Sequence, residues 1–257
     1  MYRMLSVTQP TIFTQLADKY KARDRIKQLV GDKYLVNLLH VYSKVEDIDF
    51  SALPEQFVLK CNHDCGSVVV CDNKENLDKV LTINKLRFFM KRNQYYVSRE
   101  WQYRDITPKV ICEEFVDLSG TRTLGYRADM YRVHCFNGKP KWLEVEYTDV
   151  AGKRYTCIYD TSWALQPVLM RYPNTRRLIP APLQLPELLY ISGKLTFDID
   201  YCRVDFYLTH DRILFSEFTF APSNGREIFT PQIWDYKFGV SWEINSTDQK
   251  PTNLNDN

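Results

Sequence analysis

Short apolar runs separated by polar turns predict a chain built largely from β-hairpins. Three pairs of such runs stand out, and they are residues 57–61 with 67–71, 129–136 with 139–147, and 201–208 with 212–220. The middle pair is joined by Asn137-Gly138, the dipeptide that most strongly indicates a two-residue hairpin turn. One further strand is expected between residues 34 and 45, and another over 110–116.

Helical spacing of apolar residues marks three other stretches, which are residues 14–30, 75–93 and 185–194. Prolines are concentrated in residues 171–186, which predicts an irregular connection there. Because helices are mixed with hairpins rather than alternating with single strands, the pattern indicates the α+β class.

The third hairpin carries the most informative pattern. A turn centred on Asp211 places three couples on one face of the sheet, which are Asp205 with Glu217, Arg203 with Thr219, and Tyr207 with Phe215. The opposite face is apolar and is expected in the core; it consists of Val204, Phe206, Leu208, Leu214, Phe218 and Phe220.

Two directly opposed carboxylates repel each other, so Asp205 and Glu217 need a counterion. One interpretation is a site for Mg²⁺, which favours one or two carboxylates together with phosphate oxygens. The other is a surface network in which Arg203 neutralises both acids. The spacing alone leaves both interpretations open.

Lys60 ends an apolar strand beside the turn of residues 62–66. A lysine in this position can bind a phosphate while the turn amides donate to it, although a lysine reaching outward from an edge strand gives the same pattern. A weaker alternative is a zinc site, since Cys61 and Cys65 have the spacing of a first ligand pair, with His63 and Cys71 nearby. No second ligand pair follows at a useful distance.

Composition excludes several classes of protein. The 257 residues carry a net charge of +2 and seven cysteines, which is an odd number and argues against a disulfide framework. No stretch approaches the ~18 consecutive apolar residues of a membrane span, and residues 1–10 lack the pattern of a secretory signal. We therefore expect a cytoplasmic globular protein.

Residues 79–109 contain eight basic and two acidic residues, which indicates either an anion-binding surface or a solvated helix face.

Several motifs, taken in order, resemble the TupA-like ATP-grasp proteins of bacterial surface-polysaccharide gene clusters. The opening helix from Ala17 to Asp24 is similar, and the other matching segments are Phe57–His63, Tyr95–Tyr103, Cys112–Phe115, Cys135–Lys141, Arg203–Tyr207, Glu217–Pro222 and Trp234–Gly239. The resemblance runs from about residue 17 to residue 242. It implies an ATP-grasp fold, in which two α+β lobes close on ATP.

The resemblance also implies roles for individual residues. Those expected to bind ATP are Lys60, the phosphate loop with His63, Gly66 and Ser67, and the adenine-binding hinge of Glu113, Glu114, Phe115 and Val116. The expected ligands of Mg²⁺ (or Mn²⁺) are Asp205, Glu217 and Thr219, and the expected catalytic cations are Arg203 and Arg132. Arg132 replaces a lysine usual in the family, and Asp64 brings an acid into the phosphate loop. The roles of Glu144 and Glu146 stay open.

The implied organisation is an N-terminal helical segment (1–55), a lid subdomain (56–116), a catalytic subdomain (117–244) and a disordered tail (245–257). The implied activity is ATP-dependent joining of a carboxylate to an amine through an acyl phosphate. The expected partners are ATP, a carboxylate-bearing sugar such as a uronic acid, and an amino acid or other amine. A glycosyltransferase of glycan assembly and a non-catalytic binder of anionic polymers are the alternatives.

Overall fold

The computed structural model describes residues 11–242, which fold into two antiparallel sheets with helices packed on them. The strands are β1 (Leu38–Tyr42), β2 (Phe57–Cys61), β3 (Val69–Cys71), β4 (Val110–Glu114), β5 (Arg122–Thr123), β6 (Tyr126–Phe136), β7 (Lys139–Asp149), β8 (Arg154–Asp160), β9 (Tyr201–Leu208) and β10 (Ile213–Thr219). The α-helices are α1 (Thr11–Ala17), α2 (Ala22–Leu29), α3 (Lys79–Met90), α4 (Gln94–Ser98), α5 (Leu185–Leu195) and α6 (Ile233–Val240). Two α+β lobes result, as predicted.

The first sheet has the strand order β1-β4-β2-β3 and packs against α3. The side chains of Phe57, Leu59 and Leu86 are fully buried between this sheet and the helix. Helix α3 begins after Asp78, whose carboxylate accepts a hydrogen bond from the backbone N–H of Leu81 at 2.8 Å. Strands β2 and β3 pair antiparallel, which confirms the predicted hairpin over 57–71.

The second sheet has the order β10-β9-β6-β7-β8. One of its faces carries the larger core, where Val133, Val204 and Phe206 are buried beneath Leu188 of α5. The hairpin between β6 and β7 turns at Asn137 and Gly138, whose φ angles are +47° and +73°. That left-handed pair is the conformation that favours Asn-Gly, so this predicted hairpin is also confirmed.

The stretch predicted as one helix over 14–30 forms two helices, α1 and α2. The chain breaks between them because the Asp18 carboxylate accepts from the backbone N–H groups of Tyr20 and Lys21, at 2.9 and 3.3 Å. The expected strand within 34–45 is β1, which pairs with β4. The N-terminal segment 1–55, which was expected to be mainly helical, thus contributes one strand to the first sheet. The predicted boundaries at residues 55, 116 and 244 stay predictions, and the tail 245–257 lies outside the described residues.

One predicted pairing in the third hairpin is wrong. Asp205 pairs with Glu217 and Arg203 with Thr219, as expected, but Tyr207 pairs with Leu214 and not with Phe215. An irregularity between Phe215 and Glu217 shifts the register by one residue. Phe215 consequently turns into the core, where it is 4% exposed.

Within residues 11–242, no helix is long and apolar enough to cross a membrane. Four elements that the sequence patterns did not indicate are β5, β8, α4 and α6. Helix α6 packs on the second sheet through Trp234 and Phe238, which contact Trp142 of β7.

Candidate active site

Charged side chains cluster on the face of the second sheet opposite the core. Strand alternation and register bring together residues of four strands, and these are Arg132 and His134 (β6), Glu144 and Glu146 (β7), Arg203 and Asp205 (β9), and Glu217 and Thr219 (β10). Arg132 lies opposite Asp205 on one side and Glu144 on the other. The predicted catalytic cations and metal ligands therefore share one surface.

Asp205 is the most buried carboxylate of this surface, at 1% exposure. Arg203 binds it with two hydrogen bonds, from Nε at 2.8 Å and from Nη2 at 2.7 Å, and Arg132 Nε lies 3.4 Å away. Burial outweighs these cations and raises the pKa of Asp205 to about 6. Thr219 Oγ1 lies 3.4 Å from Arg203 Nη2. Arg203 thus pairs with Asp205, one of the two acids that the network interpretation assigned to it, and the metal site stays a prediction.

Glu217 has its own cation, Lys19, whose Nζ lies 3.1 Å from Oε2. The same Lys19 ammonium donates to the carbonyl oxygen of Asp64 in the phosphate loop. Burial opposes ionisation of Glu217, but Lys19 and Arg203 outweigh it and lower its pKa. Lys19 therefore ties the loop between β2 and β3 to the predicted metal site. Sequence reasoning did not assign it a role.

Glu144 and Glu146, whose roles were open, both hold Arg132. Arg132 Nη1 lies 2.6 Å from Glu144 and 2.8 Å from Glu146. Glu144 also lies 3.8 Å from Arg203 and 3.4 Å from His134 Nε2. Burial disfavours its charge, but His134, Arg203 and Arg132 together lower the pKa of Glu144 well below its usual range. Glu144 thus fixes both arginines as charged, oriented groups.

A cavity of about 440 Å³, which we call the nucleotide cleft, opens between the two sheets. Its walls combine apolar and polar residues, which are Val36, Val58, Lys60, Val68, Val70, the segment 113–119, Arg127 and Tyr207. Lys60 and the predicted hinge therefore meet in one cavity. Tyr207 belongs to β9, the strand that also carries Asp205, so the cleft borders the charged surface.

Both acidic residues of the predicted hinge form ion pairs with other side chains. Glu113 accepts from Lys60 Nζ at 2.6 Å and from Arg23 Nη1 at 3.1 Å, while Glu114 pairs with Arg212 at 3.2 Å. Burial disfavours the Lys60 ammonium, but Glu113 outweighs it and raises the pKa of Lys60. Lys60 is therefore a buried, charged donor, not a surface lysine. Arg23, like Lys19, was not assigned a role from the sequence.

The predicted phosphate loop uses its side chains internally. His63 Nε2 lies 3.2 and 3.0 Å from the backbone oxygens of Phe89 and Arg92, at the end of α3. Ser67 Oγ donates to Asp64 at 2.6 Å and accepts from the Cys61 N–H at 2.7 Å. Any phosphate contact by His63 or Ser67 must therefore come from the backbone. Asp64 points into the loop, which removes its carboxylate from the path of a polyanion.

Gly66 lies against helix α3. A Cβ atom there would stand 2.9 Å from the Phe89 ring, so a larger residue would require the ring or the loop to shift. The alternative zinc site gains no support, since within residues 11–242 no group of three or more His, Cys, Asp or Glu is placed to hold a metal ion. Burial also raises the pKa of Cys61 to about 12, which disfavours the thiolate that zinc requires.

The residues present fit the ligands that the resemblance implies. The cleft combines the apolar side chains of Val58 and Val70 with the ammonium of Lys60 and the irregular segment 115–118, which suits a nucleotide base and its phosphates. Asp205 and Glu217 supply only carboxylate oxygens, the donors that Mg²⁺ takes together with phosphate oxygens. Arg203 donates one hydrogen bond to each Asp205 oxygen, so each oxygen keeps a second lone pair that a metal ion could use.

Replacing Lys19 by Met is expected to raise the KM for ATP about tenfold or more, because the loop loses a charged anchor and Glu217 its cation. Steady-state kinetics measure this effect. The matched control is Lys21→Met, since Lys21 is exposed two residues further on. Equal KM values for the two variants would remove Lys19 from the site.

Glu100 provides a prediction on pH and stability. Its side chain is 6% exposed, and burial raises its pKa to about 7 from 4.5. Below about pH 4.5 the carboxyl is protonated whether the chain is folded or not, so it carries no penalty. Between 4.5 and 7 the unfolded chain releases the proton first, so the free energy of unfolding falls as the pH rises.

We therefore expect Glu100→Gln to increase the free energy of unfolding at pH 8, by on the order of 3 kcal/mol, with the gain vanishing near pH 4.5. Urea unfolding at both pH values measures the difference. Glu55→Gln serves as an exposed control. A gain that is equal at both pH values would show that the carboxyl titrates normally.

Comparison with known proteins identifies the family. Residues 1–243 match the family described as TupA-like ATPgrasp. No curated protein sequence matches the chain. Among solved structures, a D-alanine–D-alanine ligase from Bacillus anthracis is similar at 15% identity, covering 79% of this chain and 56% of that one with a TM-score of 0.44.

Two other solved structures are similar. C-terminally truncated Cdc123 from Schizosaccharomyces pombe shares 10% identity over 96% of this chain and 97% of that one, with a TM-score of 0.48. An ATP-grasp RimK domain protein from Sphaerobacter thermophilus shares 15% identity over 83% and 64%, with a TM-score of 0.42. This chain spans about half the length of the D-alanine–D-alanine ligases that it matches.

These structural similarities are distant, and the assignment rests on the family match. That match spans nearly the whole chain and agrees with the two-lobed α+β structure. The chain belongs to the TupA-like ATP-grasp family, which confirms the predicted family and fold.

Proposed function

We propose that this chain is an ATP-dependent ligase that joins a carboxylate to an amine through an acyl phosphate. The observation that carries the proposal is the meeting of the nucleotide cleft with the charged surface. Lys60 and Tyr207 line the cleft, and Tyr207 lies two residues from Asp205 on the same strand. A nucleotide in the cleft would extend its phosphates towards Asp205 and Glu217.

In the first step, a carboxylate oxygen of the acceptor forms a bond to the γ-phosphorus of ATP. The bond from that phosphorus to the β,γ-bridging oxygen breaks, and ADP leaves. Arg132 and Arg203 are held as fixed positive charges by Glu144 and Asp205, so they suit the stabilisation of charge on the transferred group. Lys60 would hold the phosphates of the nucleotide from the opposite sheet.

Mg²⁺, or Mn²⁺ in its place, would be held by Asp205 and Glu217, with Thr219 beside them; when bound, it neutralises phosphate charge. In the second step, the amine nitrogen attacks the acyl carbon and the carbon–oxygen bond to phosphate breaks. Inorganic phosphate leaves with one proton of the ammonium, and a second proton passes to solvent.

For the substrates, we propose a uronic acid or similar carboxylate in a precursor of a surface polysaccharide, such as a capsule or O-antigen, and an amino acid or another amine. The family resemblance supports the role in polysaccharide synthesis and a cytoplasmic location. The paired arginines support an anionic acceptor, because they lie where a carboxylate would meet the transferred phosphate.

The proposal is tested by incubating the protein with ATP, Mg²⁺, and combinations of uronic acids and amines. The expected result is formation of ADP and phosphate, with a product whose mass equals the sum of the two substrates less one water. Transfer from a nucleotide sugar without ATP consumption would favour the glycosyltransferase alternative. Binding of an anionic polymer that survives replacement of both Asp205 and Glu217, without any turnover, would favour the non-catalytic binder.

A further inference from the structure

A second cavity, of about 340 Å³, lies between the charged surface and helix α6, and we call it the aromatic pocket. Glu144 and His134 line it from the sheet, and Phe238 lines it from the helix. Because Glu144 also contacts Arg132 at 2.6 Å, the polar end of the pocket borders the proposed acyl-transfer centre. The nucleotide cleft has a separate set of lining residues.

The walls of the aromatic pocket are built from interlocked rings. Phe238 packs on His134 with ring centroids 5.3 Å apart and on Phe229 with centroids 5.0 Å apart, while Trp242 packs on Tyr201 at 5.2 Å. Rings arranged in this way offer faces on which a sugar ring or an organic cation can lie.

The charges of the aromatic pocket have a single sign. Three acids line it, Glu144, Glu227 and Asp235, and its lining in the described part of the chain includes no lysine or arginine. Glu227 is held by Ser223 at 2.6 Å. A ligand carboxylate would be repelled here, whereas an ammonium group would be attracted.

One buried polar atom at the border of the pocket has no aligned partner. His134 is 4% exposed, and its Nδ1 shares a hydrogen bond with the Tyr201 hydroxyl at 3.0 Å. Its Nε2 makes no hydrogen bond, although Glu144 Oε2 lies 3.4 Å away. Since buried polar groups are rarely left unmatched, a ligand group is the expected partner of this nitrogen.

We propose that the aromatic pocket binds the amine substrate, as the ammonium form of a ring-bearing compound without a carboxylate beside the amine, such as an amino sugar. This inference rests on the proposed ligase function and narrows it. The ring would lie against Phe238 and Trp242, and the ammonium would face Glu144 and His134. A zwitterionic amino acid fits this pocket poorly, because its carboxylate would face the three acids.

The placement is chemically consistent with the second step of the proposed reaction. The amine nitrogen would approach an acyl carbon held at Arg132 and Arg203, because Glu144 contacts both arginines. Acidic side chains would bind the ammonium in the ground state, and release of its proton to solvent would free the lone pair. The new carbon–nitrogen bond then replaces the carbon–oxygen bond to phosphate.

Binding is tested without ATP by saturation-transfer NMR at pH 7 with three probes: glucosamine, glucose and glucuronate. We expect glucosamine to bind whether or not a nucleotide is present, and glucose to bind at least about tenfold more weakly. Glucuronate, whose proposed place is at Arg132 and Arg203, should not displace glucosamine. In the variant Glu227→Gln/Asp235→Asn, the Kd of glucosamine should rise about tenfold. The matched control Glu187→Gln lies outside the pocket, where Glu187 pairs with Lys33.

A second variant, Phe238→Ala, removes a wall of the pocket and should also weaken glucosamine binding, with ATP affinity as the readout that the fold persists. Equal binding of glucosamine and glucose would overturn the role of the ammonium. Unchanged glucosamine binding in both pocket variants, or displacement of glucosamine by glucuronate, would overturn the site itself. Such results would leave ATP-dependent ligation untouched, since the panel assay with ATP and Mg²⁺ tests that function separately.

Discussion

Replacing Asp205 by Asn is expected to lower ATP-dependent product formation on the order of 100-fold or more. Asp205 is the buried carboxylate that stands opposite Glu217 and is bound by Arg203, so its charge would serve both the proposed metal site and the orientation of the proposed catalytic cation. The asparagine keeps the shape and one acceptor oxygen for Arg203. The rate is measured with saturating ATP and Mg²⁺, next to thermal melting.

The matched control is Asp198→Asn, because Asp198 is an exposed carboxylate that pairs with Arg25 away from the charged surface. Its variant should turn over at the wild-type rate. If Asp205→Asn melts as a folded protein and also retains the wild-type rate, the paired carboxylates are structural and the reaction takes place elsewhere.

Replacing Lys60 by Ala is expected to raise the Kd for ATP by a factor of roughly 10 to 100. Lys60 is the buried ammonium of the nucleotide cleft, and a hydrogen bond to a charged group typically contributes roughly 1.5–3 kcal/mol. Folding should survive, since Arg23 still pairs with Glu113 at 3.1 Å once Lys60 is gone. Isothermal titration with a non-hydrolysable ATP analogue measures the affinity.

Lys91→Met provides the comparison for this experiment. Lys91 is an exposed lysine at the end of helix α3, outside the cleft lining. Its loss should leave the affinity for ATP within about twofold of wild type, as for surface substitutions in general. An unchanged Kd in Lys60→Ala would show that the nucleotide does not reach this lysine.

Strand alternation predicted the charged surface well, because a period of two places every second residue on the same face. Asp205 and Glu217 were paired correctly from a turn position alone. The same reasoning misplaced Phe215, because one extra residue in β10 reverses the alternation beyond it. Such an irregularity has no reliable mark in a single sequence.

Lys19 and Arg23 show what local patterns cannot reveal. Each contacts a partner far along the chain, since Lys19 reaches Glu217 and Arg23 reaches Glu113. Such contacts depend on tertiary packing. The only indication in the sequence was that the two cations are four residues apart, which would place them on one face of a helix. The chain in fact breaks its helix between them.

The aromatic pocket was also invisible at the level of sequence. Helix α6 and the segment around Phe229 lie far along the chain from His134, and their rings meet only after the sheet forms. For the phosphate loop, the sequence indicated the position but not the direction of the side chains. Its residues were located correctly in the turn after β2, but the inward direction of His63 and Ser67 depends on partners in α3 and β2.

Ligation through an acyl phosphate is tested most directly by tracing one oxygen atom of the carboxylate substrate into the products. A carboxylate substrate from the panel, labelled with ¹⁸O in both carboxyl oxygens, is turned over with ATP, Mg²⁺ and its amine partner. Because the attacking carboxylate oxygen leaves with the phosphate, we expect one ¹⁸O atom in each molecule of inorganic phosphate and one in the amide. Unlabelled phosphate, or label recovered in AMP with release of pyrophosphate, would contradict ligation through an acyl phosphate.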